Sequence, residues 1–433
     1  MGGARCPGGP SGRGLGLREA LASLGALACL LSSPIATGVD YAEEFTRKIQ
    51  AARAVAPLGS DLFGDETNWY NGTTSFRVVD VDIPGNNALP VRIARTRSSA
   101  PPEGPTAPGL LGDWEIKLPY LSSVFSQGNA WRLPSTTQNR CSSGPLVPPP
   151  VSHGSGTFEA TEYWRGYFIA IPGQGTTQML WRDPAYTPQP SDGFSYPWVT
   201  VGHTQLHCGI MLANGTGEGF LAIAPDGTRY RFDWLISRPY SAFSEQAPDS
   251  QFVYTLQRDE VRIYATRVED RFGNYVNYTY SGEKLTRIES SDGRVITLAY
   301  NVANKVASIT AEVSAPAPDR TWTYSYQTSN WLTGVTLPDG TSWSIATTPL
   351  IITYINEPPP TSPCNLPTSF VSGNVMWTFT HPSGGNAQFT FAPKRHERTQ
   401  VTNPCRVIEG FIEPGPSREF DTYALVTARR TTA

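Results

Sequence analysis

The stretch DRFGNYVNYTYSGEKLTRIESSDGRVITLAYN, Asp270 to Asn301, contains the fold in miniature. A Gly-Asn turn, Gly273-Asn274, leads into an alternating strand that ends in Tyr280. An apolar-alternating segment follows at Lys284–Ile288, and Asp292-Gly293 then opens a third strand, Val295 to Tyr300. Asp-Gly and Gly-Asn pairs suit the positive φ angles of tight hairpin turns. Alternation places Tyr278, Tyr280, Ile296, Leu298 and Tyr300 on one face, with Asn277, Thr279 and Thr297 on the other. The unit recurs at Pro225–Phe232, at Pro338–Ile345 and, in degenerate form, at Pro382–Phe391. Gly273 to Gly293 spans 20 residues, while Gly293 to Gly340 spans 47 and Gly340 to Gly384 spans 44. The longer gaps are near twice the first, as if a turn without glycine, such as Pro318-Asp319-Arg320, supplied the missing copy. A single hairpin cannot bury its apolar face, so stacked repeats must supply the core. The expected fold is mainly β: an antiparallel hairpin-repeat array forming a curved or partly closed shell, preceded by a β-rich N-terminal region and one short helix.

The composition agrees. The chain has 433 residues, 34 Lys+Arg against 37 Asp+Glu, 16% charged and 11% aromatic residues, with 40 Gly and 38 Pro. A formal net charge of −3 without a basic block argues against a nucleic-acid binder. Abundant Tyr, Trp, Thr and Gly reads as strands with many turns.

Arg5, Arg13 and Arg18 precede the apolar run Ala20–Leu31, which breaks at Ser32-Ser33-Pro34, the arrangement of a secretory signal. The run is too short to span a bilayer, and no later stretch reaches the roughly 20 apolar residues a membrane helix needs. Residues 1–36 are therefore read as a signal peptide and the protein as secreted or on the cell surface. Residues 37–57 form a short helical lead, with Asp40 and Glu43 as a capping box before Tyr41–Val55. Residues 58–214 read as a β-rich region with Pro/Gly loops, including a hairpin of Thr74–Asp82 and Leu89–Ile93 around Pro84-Gly85-Asn86-Asn87. Residues 215–433 are read as the hairpin repeats, in a truncated array. Outside the signal, Cys141, Cys208, Cys364 and Cys405 suit two disulfides in an exported chain. Three pairings are open, with sequence proximity favouring Cys141–Cys208 and Cys364–Cys405. His203, His207 and Cys208 lie together in HTQLHC, but no second cysteine or CxxC accompanies them, so no metal or cofactor is expected.

Residues 270–301 resemble the YD repeat of the Rhs family: a Gly turn, a strand ending in Tyr, an apolar strand and another Asp-Gly-Arg turn. The segments Asp61-Leu62-Phe63-Gly64-Asp65, Tyr70-Asn71-Gly72, Ile83–Val91 and Gly112-Asp113-Trp114 resemble the region ahead of the repeats in exported bacterial Rhs-like proteins. The resemblance covers 58–433 and is most specific in 219–345. It implies a shell whose repeats wind into a hollow cocoon around a C-terminal toxin or effector. It also implies that this chain, with about five to seven repeats and no cargo, is the N-terminal portion of something longer.

No hydrolase motif such as GxSxG or HExxH, and no P-loop, is present. Asp65, Asp113 and Glu115 remain as carboxylates of the kind a glycosidase could use, with solvated turn and edge residues as the plainer reading. The expectation is a non-catalytic structural and binding module. The alternative is a complete secreted carbohydrate-binding or adhesion protein, with Tyr278, Tyr280, Trp322, Tyr324 and Trp343 offering rings for sugar stacking. A secreted β-rich hydrolase is the third reading.

Overall fold

A computed structural model describes residues 62–99, 109–129, 131, 139–144, 147–154, 156–183, 185, 189–190, 192–246, 253–312, 318–328, 330–351, 373–397, 406–408, 411–413 and 419–431. All lie in the second of two units, Ser60–Ala433. The expected signal peptide and helical lead, Asp61, Cys364 and Cys405 fall outside the described residues. The described residues are almost entirely antiparallel β, and none of their helices is long and apolar enough to cross a membrane.

The first four strands form a sheet of their own, ordered β1 (Asp65–Thr67), β2 (Thr74–Ile83), β3 (Val91–Ser98) and β4 (Glu115–Ile116). Strands β2 and β3 are the hairpin expected around Pro84–Asn87. A bulge between Val79 and Val81 leaves Asp80 unpaired in the ladder and re-aims its side chain.

The next strands make a ring. It uses β5 (Tyr120–Ser126); then, beyond the small hairpin β6 (Val151–His153) and β7 (Gly156–Phe158) and the one-turn helix α1 (Ala160–Tyr163), it uses β8 (Tyr167–Ile171) and β9 (Gly175–Trp181). It continues through β10 (Trp198–Thr200), β11 (Gln205–His207), β12 (Phe220–Ile223) and the long pair β13 (Arg229–Gln246) and β14 (Val253–Glu269). Each pairs with the next, and β5 closes the circle by pairing Tyr120–Ser126 with Arg258–Tyr264 of β14. Inside, Trp131 stacks on Tyr167 at 4.9 Å and meets Phe220 at 5.8 Å. The Trp198 indole donates to the Cys141 carbonyl, and Cys141 is bonded to Cys208, the first pairing expected. The closed loop of 67 residues contributes about 4 kcal/mol in the chain-entropy model.

Strand β14 is the branch point, because the edge it offers β5 at 258–264 is taken over at Arg267–Glu269 by β15 (Tyr275–Ser281). From there the repeat wall grows through β16 (Lys284–Ser290), β17 (Val295–Tyr300), β18 (Val306–Glu312), β19 (Arg320–Tyr326), β20 (Leu332–Thr336) and β21 (Ser342–Ala346). It ends with β22 (Val375–Thr380), β23 (Asn386–Glu397) and, after the small hairpin β24 (Arg406–Ile408) and β25 (Phe411–Glu413), β26 (Glu419–Thr431).

The turns differ from expectation in a way chemistry explains. They are three-residue loops with one left-handed residue at the third position, the arrangement of a type I turn closed by a bulge. In each, the left-handed N–H donates to the carbonyl three residues back: Gly227 to Ala224, Gly273 to Asp270, Gly293 to Ser290, Gly340 to Leu337 and Gly384 to His381. The Asp of Asp-Gly is therefore not left-handed; its carboxylate accepts backbone N–H bonds, as Asp226 does from Thr228 and Asp339 from Thr341. Pro225, Pro338 and Pro382 take the first loop position, where a fixed φ suits a type I turn. Two further turns of the same kind use Asn304 (φ 58°) and Asn330 (φ 61°). The glycine spacing conceals them. The β18–β19 connection, which contains Pro318-Asp319, stands where the 47-residue gap called for a turn. The 44-residue gap has a different origin: β21 pairs directly with β22, so no wall strand stands between them.

Candidate functional site at the inner face of the wall

The repeated tyrosine is the first feature the residues build. At Tyr280, Tyr300 and Tyr326 the ladder shifts register, and each hydroxyl donates to a carbonyl of the preceding strand: Ala265, Leu285 and Val306, at 3.0, 2.6 and 2.8 Å. These carbonyls lie past the last paired residues, Arg267, Arg287 and Ser308, where the strands part. The phenol replaces the lost ladder bond, which explains why the repeat needs Tyr rather than Phe. Burial pushes all three phenols well up from their ordinary pKa.

Where the strands part, the segment 109–119 supplies partners from the N-terminal side. Ala265 N–H donates to the Pro119 carbonyl, Val306 N–H to Leu110, the Lys305 ammonium to Gly109, and Leu332 N–H to the Asp113 carboxylate.

The apolar face of the wall is covered by the β1–β4 sheet. Phe76 on β2 packs among Trp377, Phe379 and Phe389, with centroids 5.8, 4.9 and 4.8 Å away. Phe63 meets Trp343 and Phe389, and Trp114 meets Phe379. Stacked hairpins alone were expected to provide the core; a second layer of the same chain provides much of it.

Between the layers lie buried arginines that the sequence did not flag. Arg95, wholly buried, bonds Asp80 at 2.6 Å, and Asp80 also accepts the Tyr324 hydroxyl at 2.9 Å. The Arg95 guanidinium lies 5.1 Å from the Trp114 ring and 5.3 Å from the Trp343 ring. Burial raises the Asp80 pKa despite the Arg95 charge beside it. Arg97 pairs with Asp113, bonds Thr347 Oγ1 at 2.7 Å, and sits 4.1 Å from the Trp377 ring; burial lowers its pKa to about 9. The only sequence signal is an Arg-x-Arg inside the apolar strand VRIARTR.

The tip of the β2–β3 hairpin is clamped by a repeat turn. Arg294 donates to the Ile83 carbonyl and to Asn87 Oδ1, both at 3.0 Å, while Asp292 accepts from Asn86 N–H and the Asn87 amide at 3.2 Å. The Arg294 hydrogen bond holds the Asp292 pKa down at about 2.

The five rings offered for sugar stacking belong to the wall's packing. Tyr280, Trp322, Tyr324 and Trp343 are buried, Tyr278 is half-buried, Tyr280 stacks on Trp234 at 5.6 Å, and Tyr324 is tied to Asp80. The carboxylates considered for hydrolysis are each engaged by arginine: Asp65 by Arg430, Asp113 by Arg97, and Glu115 by Arg238 and Arg262 at 3.3 and 3.2 Å. Burial pushes the Glu115 carboxyl up, and Arg262 and Arg238 more than offset it, so its pKa is lowered. His207 Nδ1 lies 2.6 Å from the Cys208 carbonyl, and Cys208 is spent in the disulfide. Among the described residues no group of three or more His, Cys, Asp or Glu could hold a metal ion. A cavity of about 560 Å³ opens between β2 and the turns at Asp339 and Ser383, floored by Trp343 and His381. There His381 Nδ1 contacts Ser383 Oγ at 2.8 Å within one turn, and Asp339 is held by Thr341, so no relay links them.

No family model matches the chain, and no curated protein matches it. Solved structures do. The crystal structure of TcdB2-TccC3 aligns with a TM-score of 0.36 at 9% identity, covering 78% of this chain and 20% of that one. The crystal structure of TcdB2-TccC3-TEV aligns with a TM-score of 0.33 at 10% identity, covering 80% and 19%. The chain thus spans about a fifth of the length of these structures.

Proposed function

We propose that the chain is a structural and binding module with no active site of its own, the N-terminal part of an exported Rhs-like shell whose longer wall encloses a C-terminal effector. The observation that carries this reading is the construction of the wall. The same bulged turn recurs at Gly227, Gly273, Gly293, Asn304, Asn330, Gly340 and Gly384, the parting strands at 265, 285 and 306 are closed by the same Tyr bond, and the apolar face seats on folded polypeptide. Such a wall lengthens by repetition without a new design. The Cys141–Cys208 bond and the segment 1–36 support export, since disulfides persist in oxidising compartments. Carboxylates committed to arginine pairs support a role without catalysis.

The test is the natural polypeptide, including whatever its reading frame encodes after Ala433, exported from a suitable host and treated with protease. The reading expects further hairpins followed by a domain that resists digestion inside the intact wall and is cut once the wall is unfolded. A reading frame without further hairpins, or a terminal domain cut as fast inside the protein as alone, would overturn it.

A further inference from the structure

The outer face of the ring carries a second arrangement, away from the β1–β4 sheet. Strand register sets two adjacent rows across it. In one, His207, Leu221, Arg231, Arg267 and Asn277 stand opposite one another in turn on β11 to β15. In the other, Ile223 on β12 stands opposite Arg229 on β13, and Arg229 opposite Glu269 on β14. These rows border a cavity of about 550 Å³.

The charges in this cavity are unevenly satisfied. Arg231 and Arg267 face each other directly, a like-charge pair that costs stability in a sheet. Arg267 is compensated by Glu269 at 2.9 Å and by the Tyr275 ring at 3.8 Å. Arg231 bonds Asp233 through Nε alone. Arg229 is exposed and its guanidinium makes no ion pair or hydrogen bond among the described residues, because Glu269 across from it is taken by Arg267. The other carboxylate on the cavity, Asp192, is committed to the Tyr196 hydroxyl at 2.5 Å and to Phe194 N–H. The cavity therefore has cationic donors to spare and no free carboxylate set against them except the far oxygen of Glu269.

The opposite wall is aromatic. Phe194 is 58% exposed yet held flat on His207, centroids 4.9 Å apart at 22°. Tyr196 meets the same imidazole edge-on at 5.3 Å. Leu221 and Ile223 lie between this stack and the arginines. His207 and Arg231 stand two strands apart, about 10 Å, a span that a long arginine side chain shortens.

We propose that this cavity binds an organic anion: a carboxylate, sulfate or phosphate held by Arg229 and the outer nitrogens of Arg231, on a flat apolar body that lies over Leu221 and Ile223 against the Phe194 ring. Guanidinium forks match such oxyanions, and an exposed ring held in place stacks at little entropic cost.

The experiment titrates the exported protein with the fluorescent anion 8-anilinonaphthalene-1-sulfonate and with its uncharged analogue N-phenyl-1-naphthylamine. One saturable site for the sulfonate is expected, at least about fivefold tighter than the amine and weakened by salt. Arg229→Ala and Phe194→Ala should each weaken it about fivefold or more, while Arg320→Ala on the repeat wall leaves it unchanged. Arg229 makes no contact that folding needs, so the melting temperature should stay put; Arg229→Gln, which keeps the stem, repeats the test if it does not. Equal affinity for the amine, no saturable site, or binding indifferent to Arg229 and Phe194 would each overturn the proposal.

Discussion

The tyrosine that closes each hairpin makes a prediction its neighbour does not. Tyr300→Phe removes a donor from the Leu285 carbonyl and should cost about 1 kcal/mol in urea unfolding, and Tyr326→Phe the same through Val306. Tyr278, two residues before Tyr280, donates no hydrogen bond among the described residues, so Tyr278→Phe should be close to neutral. Equal costs at 278 and 300 would mean that ring packing alone matters. The turns give a second contrast. Gly293 holds φ 86°, where a Cβ meets nothing but the backbone itself resists, so Gly293→Ala should cost about 1–2 kcal/mol. Asn304→Gly, at φ 58°, should be neutral or mildly stabilising. Asp292 adds a pH dependence. Its pKa is about 2 in the fold against an ordinary 3.8, so the stabilisation is full above pH 4 and is lost as pH falls toward 2. Asp292→Asn should lower stability at neutral pH and flatten the profile across that window; a profile identical to that of the parent would discount the clamp.

At the scale of elements, what was legible depended on whether the signal is local. The β2–β3 hairpin, the five glycine turns and the faces of β15 and β17 follow from alternation and turn chemistry within a few residues. The Asn turns at 304 and 330 escaped because asparagine is only sometimes left-handed, and the flanking alternation had to decide. The branch at β14 has no local signature at all: nothing in Val253–Glu269 says that one edge is shared by β5 and β15, strands more than a hundred residues apart. Buried Arg95 was illegible for the same reason, since its partners Asp80 and Tyr324 come from a bulge and a distant repeat. The arrangement predicts that Arg95→Met alone, which strands Asp80 in the core, costs about 3–5 kcal/mol, while Arg95→Met with Asp80→Leu recovers much of it. Chemical unfolding of both variants checks this; a double variant no better than the single would show that the pair is needed for more than charge balance.

For the whole molecule, the sequence pointed to a shell built by stacking, and the structure adds that part of the wall is lined by the chain's own first sheet. Phe76 on that sheet, and Phe63 and Trp114 just ahead of its first and last strands, meet rings lying more than two hundred residues later, and the sequence marks none of these pairs. Phe76→Ala should therefore loosen the repeats as well as its own hairpin, at a cost of about 3–5 kcal/mol. The most direct measurement of this central claim is a double-mutant cycle between Asp80 on β2 and Tyr324 on β19, 244 residues apart and 2.9 Å across the layers. Asp80→Asn and Tyr324→Phe, alone and together, should show a coupling of about 1 kcal/mol or more in unfolding free energy. Additivity within about 0.3–0.5 kcal/mol would contradict the packing of the first sheet against the repeat wall.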